Sequence, residues 1–421
     1  MTMTGALLLA TQAHGADSFP RLGGVLISNP KNYYDASYQA DIAKLNVAVV
    51  SMYPGWGKDQ GTNAEQAVKA IKARNPNTKI FMYVIGESLR YPVNPAWETL
   101  GKTVDAQHWW LYGADGKSKV LSDFGKDTYI LNITPYSKPD ANGLRFNQWF
   151  AAHVAKEIGD TTPSADGLFT DNVFWKPRRD GDWNGDGKVD SQNSVTVQKY
   201  YRQGYAQYID ALRPRMPGKL QLANVADWGR PQADITEYKG KWNGGIIEHL
   251  KDSNGWDAMM AQYRKTMAAF AAPKLGLFHY EADPKDYRSM RYGLASCLMD
   301  DGYFAFSNSN GVYSGVIWFD EFDAKLGNAV SPPATKPWSK GVYRRDFENG
   351  IALVNPKGNG AQEVTLEEDF VTIKGKQAPT VNTGKTVRTI RLEDRDGIIL
   401  LRPNPVKRPA APSGIVVESS S

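Results

Sequence analysis

Eight short apolar runs rich in β-branched residues recur between residues 22 and 308, with helix-like stretches between them. That alternation limits the available folds more than any other feature of the chain. The runs are LGGVLIS (22–28), VAVVSMYP (47–54), KIFMYVIG (79–86), DGLFTDNVF (166–174), KLQLANV (219–225), GGIIEHL (244–250), KLGLFHYEAD (274–283) and GYFAFSN (302–308). Between them, segments such as 64–76, 146–159 and 197–214 carry apolar residues three and four apart, and Pro or Gly closes several of them. Strands alternating with helices imply a parallel sheet. A doubly wound open sheet would share the pattern, but no Gly-rich phosphate loop follows the first run, and the runs number eight. The expected fold class is α/β, a (β/α)8 TIM barrel over residues 20–336.

After Pro337 the period changes to two, with turn signals at Glu348-Asn349-Gly350 and Arg395-Asp396-Gly397. A small antiparallel, sandwich-like β-domain is expected over 337–402, followed by a Pro-, Ala- and Ser-rich disordered tail, 403–421. Residues 1–19 resemble an incomplete export segment. Gly5 to Ala10 are apolar and small residues continue to Ala16, but the basic start of such a signal is missing. The expected location is secreted or periplasmic. No later run reaches the ~18 apolar residues of a membrane span.

The net charge is only +5, and no dense Lys/Arg run suggests a nucleic-acid partner. Cys297 is the sole cysteine, which excludes an intramolecular disulfide and thiolate metal clusters. A P-loop and a GxSxG elbow are both missing, which argues against kinase and esterase chemistry, and no organic cofactor is expected. The chain carries 12 Trp and 21 Tyr, many in apparent loops beside Gly, Asn and Asp. Rings so placed suit stacking on sugars.

Barrel active sites lie at the C-terminal ends of the strands. The fourth run ends at Asp171-Asn172, the sixth at Glu248-His249 and the seventh at Tyr280-Glu281, while Asp320-Glu321 follows the eighth. A lone carboxylate at such a position is often a structural ion pair. Two on strands four and six would face each other, as glycosidic cleavage requires of its acid and its nucleophile or base. Asp171 and Glu248 are therefore the expected catalytic pair. Tyr53, Trp56, Asn172, Trp175, Asn224, Trp228, His249, Tyr280, Glu281, Asp320 and Glu321 are expected around the substrate. The segment Asp182-Trp183-Asn184-Gly185-Asp186-Gly187-Lys188-Val189-Asp190 fits a calcium loop, with Asp182, Asn184, Asp186, Asp190 and the Lys188 carbonyl as ligands. Its twelfth position is Asn193 in place of an acid, so a metal-free Asx-rich turn competes with structural Ca2+.

With these segments in place, the chain resembles a family of bacterial barrel glycoside hydrolases, the glycosyl-hydrolase-like group numbered fifteen. DGLFTDNVFW with the following DWNGDGKVDS, GGIIEHL, WFDEFDAKLG, and FENGIALVNP paired with DRDGIILLRP carry the likeness across about residues 20–402. The resemblance implies a barrel that hydrolyses glycosidic bonds of a poly- or oligosaccharide. By analogy with more distant barrels acting on amino-sugar polymers, it matches Asp171 and Glu248 to the carboxylate positions. A monomer is expected. The rival reading is a non-catalytic carbohydrate-binding barrel, since a barrel can lose its chemistry and keep its cleft.

Overall fold

The computed structural model describes residues 18–52, 63–92, 97–309 and 313–403. All eight apolar runs form strands: β1 (Leu22–Leu26), β2 (Val47–Val50), β3 (Lys79–Ile85), β6 (Gly167–Asp171), β7 (Leu220–Asn224), β8 (Gly244–Ile247), β9 (Leu275–Ala282) and β10 (Tyr303–Asn308). They pair in parallel, in chain order, and β10 returns to β1 to close the barrel. Alternate side chains from every strand point inward. Val49, Phe81, Phe169, Leu222, Ile246 and Leu277 belong to the cluster that fills the barrel axis. The other faces bury against the helices. Gly245 lets β8 lie tight on β7, because a Cβ there would stand 2.1 Å from the Ala223 carbonyl oxygen.

Helices α1 (Ala36–Ile42), α2 (Ala64–Arg74), α4 (Phe146–Val154), α5 (Val195–Leu212), α6 (Trp256–Ala269) and α7 (Tyr287–Leu298) form the outer layer. Asp35, Asn63 and Asp286 cap their helices by accepting backbone N–H bonds. Between β7 and β8 the described crossover has only a 3-10 turn, Thr236–Tyr238. Trp228, Tyr238 and Trp242 fill the space a helix would occupy, with Trp228 stacked on Tyr238 at 4.8 Å between centroids.

The long connection between β3 and β6 carries α3 (Glu98–Ala106) and a hairpin-like pair, β4 (Ser88–Arg90) with β5 (Thr128–Ile130). The run TYILNI (128–133) supplies the second of these strands over its first three residues. This excursion rises over the C-terminal mouth of the barrel.

The C-terminal domain departs from the expected sandwich. Strands β11 (Tyr343–Phe347), β12 (Gly350–Asn355), β13 (Gln362–Thr372), β14 (Thr386–Leu392) and β15 (Asp396–Leu401) form one antiparallel sheet, ordered β11-β12-β15-β13-β14. β13 pairs with β14 on both sides of a register shift between Thr365 and Phe370, and its last two residues pair with β15 as well. The sheet encloses its own core of Val364, Leu366, Phe370 and Leu400, and its other face buries against the barrel, so a second sheet is not needed.

Candidate active site

The period of two that fills the barrel also builds its mouth. Two residues beyond the interior Phe81, Phe169, Leu222, Ile246, Leu277 and Ala305 stand Tyr83, Asp171, Asn224, Glu248, His279 and Ser307. Six inward rows thus reach polar groups at the mouth, and these groups meet. The Asn224 amide nitrogen donates to Asp171 Oδ1 at 3.0 Å and to Glu248 Oε2 at 2.8 Å. Two acceptors on one nitrogen can be no farther apart than those bonds laid end to end, roughly 6 Å, so the two carboxyl groups face each other across one amide. Tyr83 Oη donates to Asp171 Oδ2, and Tyr313 Oη donates to Glu248 Oε1 at 2.6 Å.

The backbone bends sharply behind each acid. Asn172 and His249, the residues after Asp171 and Glu248, both have φ near +57°, a region few residues other than glycine enter. At the first bend the Asn172 N–H turns back to Asp171 Oδ1 at 2.9 Å, and its side chain donates to Glu87 at 2.9 Å. Glu87 is buried and receives two bonds from Arg178, both 2.9 Å, while the guanidinium lies over the rings of Phe124 and Phe174. At the second bend the His249 N–H donates to His279 Nδ1 at 3.1 Å, and His249 Nδ1 meets Glu281 at 2.8 Å.

Burial dominates the electrostatics. Loss of water holds the Asp171 carboxyl above the usual range, against the Tyr83 and Asn224 donors that favour its anion, and the Glu248 charge adds to the rise. The buried Glu87 is likewise raised by loss of water, with Arg178 opposing. Burial pushes His279 down to about 4, so it is neutral at physiological pH. Its Nδ1 accepts from His249, which leaves Nε2 to donate to Ser307 Oγ at 2.8 Å. His249, His279 and Glu281 could crowd a metal ion by distance alone. The His279 lone pair is already committed, so the trio reads as a hydrogen-bonded support for the Glu248 bend.

Asp171, Asn172, Asn224, Glu248 and His249 all line one open cleft of about 340 Å3. Glu281 touches it through His249. Other expected contacts lie elsewhere, and the reading of loop rings as sugar platforms needs correction. Trp228 is wholly buried, with its indole N–H donating to the Val173 carbonyl. Trp175 is buried too, and its backbone N–H bonds Asp227. Tyr280 receives a bond from Arg395 at the junction with the β-domain. Asp320 accepts from the Gln377 N–H, and Glu321 from the Asn382 side chain, so both acids serve that junction. Trp109, Trp110, Trp183, Trp242 and Trp256 are buried as well. Long barrel loops must bury apolar surface of their own, and these rings supply it. Tyr53 and Trp56 lie outside the described residues, as do residues 1–17 and 404–421.

Sequence reasoning missed Tyr83, Tyr313 and Arg178. The first was legible from the inward row Phe81-Tyr83 of β3. Tyr313 and Arg178 sit on irregular chain, where no period marks them.

A family model described as hypothetical glycosyl hydrolase family 15 matches residues 72–351. No curated protein matches the chain. Among solved structures, an Anoxybacillus α-amylase is similar at 11% identity, over 91% of this chain and 98% of that one, with a TM-score of 0.48. The GH36 α-galactosidase AgaA of Geobacillus stearothermophilus is similar at 10% identity, over 92% of this chain and 56% of that one, with a TM-score of 0.47. The glycoside hydrolase domain of PelA from Pseudomonas aeruginosa is similar at 13% identity, over 70% and 98%, with a TM-score of 0.41. These likenesses are too remote to carry substrates or residue roles across.

Proposed function

The chain belongs to hypothetical glycosyl hydrolase family 15, and from that premise we propose that Asp171 and Glu248 are the carboxylate pair that cleaves glycosidic bonds of an oligo- or polysaccharide. The observation that carries the reading is the single Asn224 amide shared by both acids at the floor of an open cleft. In this reading one carboxyl donates its proton to the leaving oxygen as the bond to the anomeric carbon breaks. The other carboxylate forms a bond to that carbon. Water, deprotonated by the first group, then displaces the glycosyl ester and restores both acids. The facing oxygens lie at most roughly 6 Å apart, which is compatible with this retaining course, and the anomeric configuration of the first product distinguishes it from inversion. Two partly desolvated acids on one amide cost stability, which weighs against a barrel that only binds.

The test is a reducing-sugar screen over starch, xylan, pectin, chitosan and bacterial exopolysaccharides. Asp171→Asn and Glu248→Gln should each lower kcat by roughly 1000-fold while sugar binding and folding persist. Added azide should give a glycosyl azide of inverted configuration with the variant lacking the nucleophile and of retained configuration with the other, which assigns the two roles. Full activity in either variant would remove that residue from the pair.

Structural calcium at Asp182–Asp190 is a second part of the proposal. Gly185 and Gly187 take positive φ, and Asp182 accepts the N–H groups of Gly185, Asp186 and Gly187 within 3.0 Å, the folded-back turn such loops use. The oxygens of Asp182, Asn184, Asp186 and Asp190 with the Lys188 carbonyl would hold the ion. Asn193, which accepts from Lys176 at 2.7 Å, makes a weak closing ligand. The ion would neutralise the acids and stiffen the loop. A polysaccharide substrate also suits the export expected from the leader segment.

A further inference from the structure

A second cavity, of about 290 Å3, adjoins the cleft and shares Tyr83, Phe124 and Asp171 with it as walls. Asp171 therefore stands on the divide between two spaces. The additional walls come from the β4–β5 excursion and the start of α3, chiefly Ser88, Arg90 and Trp97.

The cavity has the chemistry of a sugar site. Phe124 is 53% exposed, the most exposed Phe, Tyr or Trp ring among the described residues, and Trp97 is partly exposed on the same cavity. A large ring left in water at a cavity wall loses free energy unless something covers it. The Arg178 guanidinium lies over Phe124 at 4.7 Å from its centroid, which ties the ring to the Glu87 and Asn172 network behind Asp171. Ser88 is 2% exposed, yet its hydroxyl has no hydrogen-bond partner among the described residues. A buried hydroxyl without a partner is costly, and a turn of its χ1 towards the cavity that Ser88 walls would let a ligand hydroxyl relieve that cost. Apolar rings beside unspent polar groups match a pyranose, which has an apolar face and a polar rim.

We propose that this cavity is a second sugar-binding subsite, so that the substrate is an oligo- or polysaccharide held across the pair, with one unit in each space and the scissile bond over Asp171. The proposal rests on the hydrolase reading above and deepens it. The volume suits one ring, at the small end of ligand sites. The β4–β5 excursion is then the element that selects chains over simple glycosides.

The test uses oligosaccharides of two to six units, made by partial acid hydrolysis of the polysaccharide that the wild type cleaves in the screen. Phe124→Ala should lower kcat/KM on these by about tenfold or more, mainly through KM. Ser88→Ala removes a hydroxyl that bonds none of the described residues. It should leave Tm unchanged or slightly higher and still lower kcat/KM about fivefold. It keeps the test sound should the ring variant fold poorly. Crystals of Asp171→Asn soaked with the same oligosaccharides should show a sugar ring against Trp97 and Phe124. Wild-type kinetics in Ser88→Ala together with sugar density confined to the first cleft would overturn the subsite and leave the catalytic pair standing. A wild type that releases no reducing ends from any polysaccharide would instead overturn the hydrolase reading, and the subsite with it.

Discussion

Asp171 accepts from Tyr83, Asn224 and its own neighbour Asn172, yet loss of water keeps its carboxyl harder to ionise than a free aspartate. A carboxyl raised on folding is bound to its proton more tightly in the native than in the unfolded chain. Its stabilising contribution is complete below the unfolded value, near 3.8, and is lost as pH rises through the folded value. At pH 7 the site therefore carries a penalty that an uncharged amide avoids. Asp171→Asn can keep Oδ1 towards Asn172 and Asn224 while the Tyr83 hydroxyl turns to accept. It should raise Tm at pH 7 by roughly 2 °C as it abolishes turnover, and the gain should vanish near pH 3. Calorimetry at both pH values checks this, and a lowered Tm at pH 7 would count against a desolvated anion. His279 behaves in the opposite sense. Its pKa falls from 6.5 to about 4 on burial, so stability is complete above 6.5 and is lost as pH falls towards 4. Denaturant unfolding at pH 7 and pH 4 should show His279→Asn losing less stability than the wild type, by up to about 3 kcal/mol.

The segment after β6 works as one element. Arg178 reaches back to Glu87, Trp183 donates its indole N–H to the Arg179 carbonyl, and Thr134 and Asn132 donate to the Trp183 carbonyl. The proposed calcium turn thus adjoins the strap that holds the Asn172 bend. Millimolar calcium should raise Tm by a few degrees over the chelated protein, and Asp186→Asn should abolish the difference. Equal melting with calcium and with chelator would leave the segment as an Asx-rich turn. The β4–β5 excursion belongs to the same scale. Its pairing is not legible in the sequence, because three-residue strands carry too little period to read.

Across the whole molecule, barrel and β-domain share one core. Phe347, Ala352, Val354 and Ile399 of the sheet belong to the cluster that contains the barrel's outer layer, and α7 is buried between the two. Charged groups seal the seam. Arg345 is buried and donates to the Leu298 and Asp300 carbonyls and to Asp301, while Arg395 bonds Asp252 and Ser289. Scanning calorimetry should show a single cooperative transition, and Arg345→Met should lower it as one peak, at a cost of about 3 kcal/mol. Two resolved transitions would mean the domains are stable apart.

The barrel was legible because each strand is a local object: a run of β-branched residues with a period of two is written in consecutive positions. Asp171 and Glu248 were legible for the same reason, as polar residues ending inward rows. The eightfold count and the change of period after Pro337 likewise belong to the linear chain. Tertiary structure alone decided which rings face water, since Trp175 and Trp228 look like loop platforms in sequence and lie against distant segments in space. It alone also brought Tyr313 to Glu248, Arg178 to Glu87 and Asp320 to the β-domain, contacts spanning 57 to 91 residues. A burial or a hydrogen bond between remote positions depends on how the elements stack, and no local pattern of residue types encodes that stacking.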